Sequence, residues 1–215
     1  TASANGQITC TILSVQLNGN SPAQPVTYSW TGPNNFTSTQ QNPTTGTPGN
    51  YILTVTSGAN GCTSTATATV NQNITPPTAI IAAPPNLNCN NTTIQLNASG
   101  SSQGANFTYF WTTTNGNIVS GSTTLTPTVS AVGTYSLLIT NTSNGCTATA
   151  ATTVSQTPPV TATASATNVS CNGGTNGTAT ATPGGGAGAF TYIWSNSATT
   201  ATTSKVYAHV RFSDL

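Results

Sequence analysis

Cysteine and tryptophan recur along this chain at a nearly fixed interval. Cys10, Cys89 and Cys171 stand 79 and 82 residues apart, and Trp30, Trp111 and Trp194 stand 81 and 83 apart. So constant a period marks a tandem array, and it limits the fold to one that a unit of about 80 residues can complete and repeat. Each tryptophan closes the same phrase: VTYSW at 26–30, FTYFW at 107–111 and FTYIW at 190–194. Apolar and polar residues alternate there as in a half-buried strand. A second phrase occurs in the first two units, GNYILTV at 49–55 and GTYSLLI at 133–139, and a third is Asn60-Gly61-Cys62 and Asn144-Gly145-Cys146. Threonine-rich runs at 65–70 and 147–154 close these units, each followed by a diproline, Pro76-Pro77 or Pro158-Pro159. Proline there stops a strand ladder and stiffens the link. The units so delimited are 1–75, 78–157 and 160–215.

The class expected is all-β. Threonine (48 residues) is β-branched and favours pleated structure, while Gly (20) and Pro (13) leave no run long enough for a helix. Ile, Leu, Val and Phe are scarce, but the chain is nearly neutral and keeps three Trp, six Tyr and five Phe at regular places, which argues for folding over disorder. About seven short strands per unit, a cysteine near the start, a tryptophan some 20 residues on and a second cysteine near the end predict tandem immunoglobulin-like antiparallel sandwiches. Trp30, Trp111 and Trp194, with Tyr51 and Tyr135, are then core aromatics rather than platforms for sugar rings. Four cysteines allow three pairings. A bridge between units would have to cross the diproline hinge, so Cys10 with Cys62 and Cys89 with Cys146 are the pairs expected. Such staples would add about 4 kcal/mol to a small core and place the protein in an oxidising, extracellular compartment.

Charge excludes several functions. Only two basic residues, one acidic residue and one histidine occur in 215 residues. Lys205, His209, Arg211 and Asp214, all in the last eleven residues, are the whole stock for acid–base catalysis. A histidine and an aspartate on a terminal tail make a poor hydrolase triad, and Cys171 with His209 offers too few ligands for zinc. The glycine-rich stretch from Pro183 to Gly188 lacks the lysine and helix start of a phosphate cradle. No enzyme activity, cofactor or metal is therefore expected. A net charge of +1 with no basic stripe also argues against nucleic acid, and no apolar run is long enough to span a bilayer.

The third unit reads differently. By the loop lengths of the first two, the partner of Cys171 would fall beyond Leu215, and the Gly-x-Tyr and Asn-Gly-Cys phrases are missing. The expectation is an incomplete third sandwich, with Cys171 unpaired or completed by a segment outside this sequence. The tail alternates Val206, Ala208, Val210 and Phe212 with Tyr207, His209, Arg211 and Ser213, a strand pattern. It is read as an edge strand of its own sandwich, with pairing to a neighbouring subunit as the alternative.

The run Tyr-x-Trp, Gly-x-Tyr-x-Leu-x-Val-Thr and Asn-Gly-Cys resembles the PKD type of immunoglobulin-like repeat. The third unit, with NVSCNGGTNGTAT at 168–180, Gly184 to Gly186 and FTYIW at 190–194, resembles the SprB repeat of Bacteroidetes surface adhesins. The resemblance covers nearly the whole chain to about Ser204. It implies β-sandwich modules strung along secreted or cell-surface proteins used for adhesion and gliding, and such modules also accompany secreted hydrolases. Calcium sites built from carboxylates have no ligands in this sequence.

Asn-x-Ser/Thr triplets occur at Asn35, Asn73, Asn90, Asn91, Asn97, Asn106, Asn141, Asn168 and Asn176, about as many as a chain this rich in Ser and Thr holds by chance. They are candidate glycosylation sites, and sugars would keep a nearly uncharged surface soluble. The function expected is a non-enzymatic structural or adhesive protein, a stalk or fibre segment. Its partners would be neighbouring repeats or subunits, head to tail, and surface glycans. The alternative is a set of accessory carbohydrate-binding or spacer modules of a secreted hydrolase.

Overall fold

A computed structural model describes residues 1–171, 174–186, 188–204 and 210–214. The fold is all-β: three successive groups of strands, each with its own buried cluster. The first module holds β1 (Ala2–Ala4), β2 (Gln7–Thr9), β3 (Val15–Gly19), β4 (Val26–Gly32), β5 (Phe36–Ser38), β6 (Thr44–Thr45), β7 (Gly49–Ser57) and β8 (Thr63–Asn73). One sheet runs β1-β3-β6 and the other β2-β8-β7-β4-β5. The first strand is thus divided between both sheets. All pairings are antiparallel except β2 with β8, which is parallel in the register Thr9↔Asn73.

Alternation decides which face is buried. In β7, Tyr51 and Leu53 point inward while Asn50 and Ile52 point out, and in β8 Ala68 and Val70 point inward between outward threonines. These side chains join Ile8, Val15, Leu17 and Trp30 in one core drawn from both sheets. Leu17 and Leu53 are fully buried here. On the outer face Thr69 Oγ1 donates to Asn50 Oδ1 at 2.9 Å, so a threonine-rich surface supplies cross-strand hydrogen bonds in place of charge pairs.

The second module repeats the plan with β9 (Ile94–Gln95), β10 (Phe107–Thr113), β11 (Ile118–Ser120), β12 (Thr128–Val129), β13 (Gly133–Asn141) and β14 (Thr147–Val154). Its sheets run β10-β13-β14 and β11-β12-β9. A parallel bridge from Leu87 to Gln156 stands where β2 meets β8 in the first module. The third module has β15 (Thr161–Thr167), β16 (Thr178–Gly184), β17 (Phe190–Trp194), β18 (Thr202–Ser204) and β19 (Val210–Asp214), in sheets β15-β16-β18 and β17-β19. Its buried hydrophobic cluster is smaller: Ala179, Ala181 and Trp194.

Trp30 pairs with Leu53, Trp111 with Leu137 and Trp194 with Val210. β19 therefore takes the place beside β17 that β7 and β13 take in the other modules. β19 thus pairs within its own module, as expected of an edge strand of that sandwich. Lys205 and His209 lie outside the described residues.

Candidate functional site

The site with the most built-in structure is the junction of the first two modules, and it is assembled from two short loops. The loop between β13 and β14 is held by Asn141 N–H donating to the Cys146 carbonyl (2.8 Å) and Gly145 N–H to the Asn141 carbonyl (2.7 Å). Cys146 N–H donates to Asn144 Oδ1 at 3.0 Å. Gly145 has φ +70°, where a side chain is strained. The other loop follows β2: Thr9 N–H donates to the Ile12 carbonyl (2.9 Å), and Thr9 Oγ1 accepts from the N–H groups of Thr11 and Ile12. Cys10 is thereby presented at the end of β2.

The two loops meet in a disulfide, Cys10–Cys146, with Cα atoms 5.0 Å apart. Around it Cys10 N–H donates to the Asn144 carbonyl at 3.1 Å. The Asn144 carboxamide donates to Asn73 Oδ1 (2.9 Å) and to the Thr75 carbonyl (3.0 Å), so it holds both the end of β8 and the linker. Asn144 is 2% and Cys146 1% exposed. A Cβ at Gly145 would lie 2.4 Å from the Thr11 side chain, so only glycine permits the approach.

This corrects the expected pairing of Cys10 with Cys62 and of Cys89 with Cys146. The reason is the parallel register of β2 and β8. Cys10 follows Thr9, which lies beside Asn73 at the end of β8, whereas Cys62 precedes the start of that strand at Thr63. Eleven residues of strand put roughly 30 Å between them at about 3.3 Å per residue, where a disulfide needs Cα atoms within about 7 Å. The Leu87–Gln156 bridge separates Cys89 from Cys146 along β14 in the same way. The core positions of β3 and β7 are held by Val15, Leu17, Tyr51 and Leu53, not by cysteines. Cys62, Cys89 and Cys171 are exposed thiols. Cys62 also lines an open cavity of about 340 Å³ with Thr1, Asn20, Pro22, Val26 and Val55.

Trp30, Trp111 and Trp194 are buried, and each indole N–H donates to a carbonyl: Gln41 at 3.2 Å, Thr124 at 2.9 Å and Thr200 at 2.8 Å. Tyr51 and Tyr135 are fully buried, their hydroxyls donating to the carbonyls of Thr47 (2.8 Å) and Ala131 (2.7 Å), each four residues upstream. That is the tyrosine corner found at the same place in immunoglobulin sandwiches. Of the sequon asparagines, Asn35, Asn90, Asn91, Asn97, Asn106, Asn168 and Asn176 are exposed, while Asn73 and Asn141 are half-buried. The Asn73 carboxamide is committed to the junction. Gly186 N–H donates to the Pro158 carbonyl, so the glycine-rich turn after β16 packs on the second linker. Among the described residues no three His, Cys, Asp or Glu side chains group to hold a metal, and no helix is long and apolar enough to cross a membrane.

Residues 163–199 match the SprB repeat family. The matched stretch lies within the third module. Among solved structures, the chain is similar to the three N-terminal domains of the bacteriophage RB49 Highly Immunogenic Outer Capsid protein, at 13% identity and TM-score 0.41, covering 98% of this chain and 78% of that one. It is similar to the I-band fragment I67–I69 of titin at 9% identity and TM-score 0.37, covering 83% and 72%. A structure addressing Dscam isoform specificity is similar at 11% identity and TM-score 0.30, covering 97% of this chain, which spans 66% of the Dscam chain. No curated protein matches.

Proposed function

We propose that this chain is a segment of an extracellular structural or adhesive repeat protein, a stalk whose first two sandwiches are clasped to one another by a disulfide. The observation that carries the reading is the Cys10–Cys146 bond with its buried Asn144. A bond between modules fixes how one sits on the next, which serves a spacer and has no use in a catalytic pocket. Structural disulfides persist in oxidising compartments, which supports a place outside the cell. The SprB match at 163–199 supports the adhesin class. Burial of Trp30, Trp111 and Trp194 leaves none of them available to stack on a sugar ring, which weighs against accessory carbohydrate-binding modules of the tryptophan-platform kind. Sugars on the exposed sequon asparagines remain part of the proposal, and an intact mass equal to the bare chain would remove them.

The test is made on intact producing cells. Antibody should label the protein without permeabilisation, and iodoacetamide should leave Cys10 and Cys146 unmodified until a reductant is added. Labelling only after permeabilisation, with both thiols alkylated directly, overturns the reading.

A further inference from the structure

Two loops of this chain are built alike and differ in what surrounds them. At Asn60-Gly61-Cys62, Gly61 N–H donates to the Ser57 carbonyl (2.9 Å), Ser57 N–H to the Cys62 carbonyl (2.9 Å) and Cys62 N–H to Asn60 Oδ1 (3.1 Å). Gly145, Asn141, Cys146 and Asn144 make the same bonds, and both glycines have φ +70°. Asn144 is buried and its amino group is held by Asn73 and Thr75. Asn60, Gly61 and Cys62 are exposed. A Cβ on Gly145 would strike Thr11, whereas one on Gly61 would meet nothing within 4 Å, so the backbone there is open to water.

Asparagine is chemically labile, and most so before glycine, which has no Cβ to crowd attack by its own nitrogen on the preceding side-chain carbonyl carbon. The rate depends on whether the carboxamide is held beside that nitrogen. An Oδ1 that accepts from the N–H two residues on folds the carboxamide back along its own backbone, beside the intervening nitrogen, and Asn60 is held in this way. Cys62 N–H also stabilises the negative charge that gathers on Oδ1 as the carbon is attacked. The other Asn-Gly pairs lack one of these conditions. Asn5, Asn115 and Asn176 are exposed, but the N–H groups of Gln16 (2.8 Å), Thr134 (3.1 Å) and Ser170 (3.1 Å) tie their Oδ1 atoms to other stretches of chain. Asn18 lies in β3, paired with Ser3, and Asn172 is outside the described residues. Asn144 has the fold of Asn60, but neither access to water nor a free amino group.

We propose that Asn60 is a site of spontaneous deamidation, and that the clasp spares Asn144 the same reaction. The Gly61 nitrogen bonds to Asn60 Cγ, the Cγ–Nδ2 bond breaks, and Nδ2 leaves as ammonia with the proton Gly61 has lost, closing a succinimide. Water then adds to one of the two imide carbonyls. Opening at Cγ gives aspartate, and opening at the main-chain carbonyl gives isoaspartate, whose backbone runs through the former side chain. One water is consumed, one ammonia is released, and nothing is oxidised or reduced. The bond from Gly61 N–H to Ser57 has its counterpart at Gly145, so it does not separate the two loops. The product places a new carboxylate on a chain of formal charge +1. It also loses the amino hydrogens that, at Asn144, reach Asn73 and Thr75, so a deamidated loop cannot make the contacts of the clasp. The inference stands apart from the stalk reading, which rests on the disulfide.

The experiment uses the full chain with Cys10–Cys146 closed, held in mildly alkaline buffer and sampled over time by mass mapping of a peptic digest, with isoaspartate scored by enzymatic methylation. The rate at each Asn-Gly pair is divided by its rate in the urea-unfolded chain, where the loops no longer differ in geometry. On that scale Asn60 should react at least roughly tenfold faster than Asn144, and faster than Asn5 and Asn115. Reducing and alkylating Cys10 and Cys146 in the folded protein should bring Asn144 up toward Asn60. Equal rates at Asn60 and Asn144 in the closed protein, an Asn60 no faster than Asn5 and Asn115, or an Asn144 rate unmoved by opening the disulfide would each overturn the proposal. No substitution is involved, so a variant that fails to fold cannot obscure the result.

Discussion

Tyr135 shows how single side chains hold an otherwise polar sandwich together. Its hydroxyl donates to Ala131 and accepts from Asn117 N–H at 2.9 Å, so one buried oxygen ties the start of β13 to two loop segments. Tyr135→Phe keeps the ring and strands both partners, and it should cost about 1–3 kcal/mol in denaturant unfolding. A cost within error would show that water replaces the hydroxyl. The aromatic positions were legible because they recur at fixed distances in the sequence and because aromatics among Thr, Ser and Asn have nowhere else to go than the core. Asn144 was not. In sequence it is one asparagine among 24, and its role depends on the linker at Asn73 and Thr75 lying within reach of its carboxamide.

At the level of elements, β2 decides the cysteine chemistry. Because it lies parallel to β8, the cysteine after it emerges at the far end of the module, against the neighbour. The spacing of cysteine, tryptophan and cysteine resembles that of an immunoglobulin domain with its inter-sheet bridge, and alternation alone gives no strand direction. The extra cysteine in the third unit was the signal pointing elsewhere, since a rule linking each module to the next leaves unmatched cysteines at both ends of any segment. The paired glycine turns separate junction contact from backbone strain. Both adopt φ +70°, so Gly61→Ala and Gly145→Ala share the same left-handed cost of about 1–2 kcal/mol. Only Gly145→Ala also meets Thr11. We expect alkylation of Cys10 to become much faster after mild reduction in that variant and to stay unchanged in Gly61→Ala. Equal effects would mean that the approach of the loops is not sterically limiting.

Over the whole molecule, about 1% charged residues leave nearly nothing for salt to screen. Between about 0.01 M and 0.1 M NaCl the Debye length falls from about 30 to 10 Å, yet the thermal midpoint should move by no more than about 2 °C. A larger shift would reveal an electrostatic contact involving the few ionisable groups near the C-terminal end. The tandem arrangement and the β class were legible from periodicity and composition, which act over long stretches. How one module sits on the next was hidden, because it depends on loops brought together only after each sandwich has formed.

The bond from Cys10 to Cys146 spans 136 residues of sequence, and every peptide bond between those two positions lies inside the ring it closes. A protease that severs the backbone once anywhere in that ring, the exposed linker residues Thr75 and Pro76 included, produces a nick and not a break. The pieces stay tethered through sulfur, so the clasp makes this stretch tolerant of a cut that would part an ordinary string of domains.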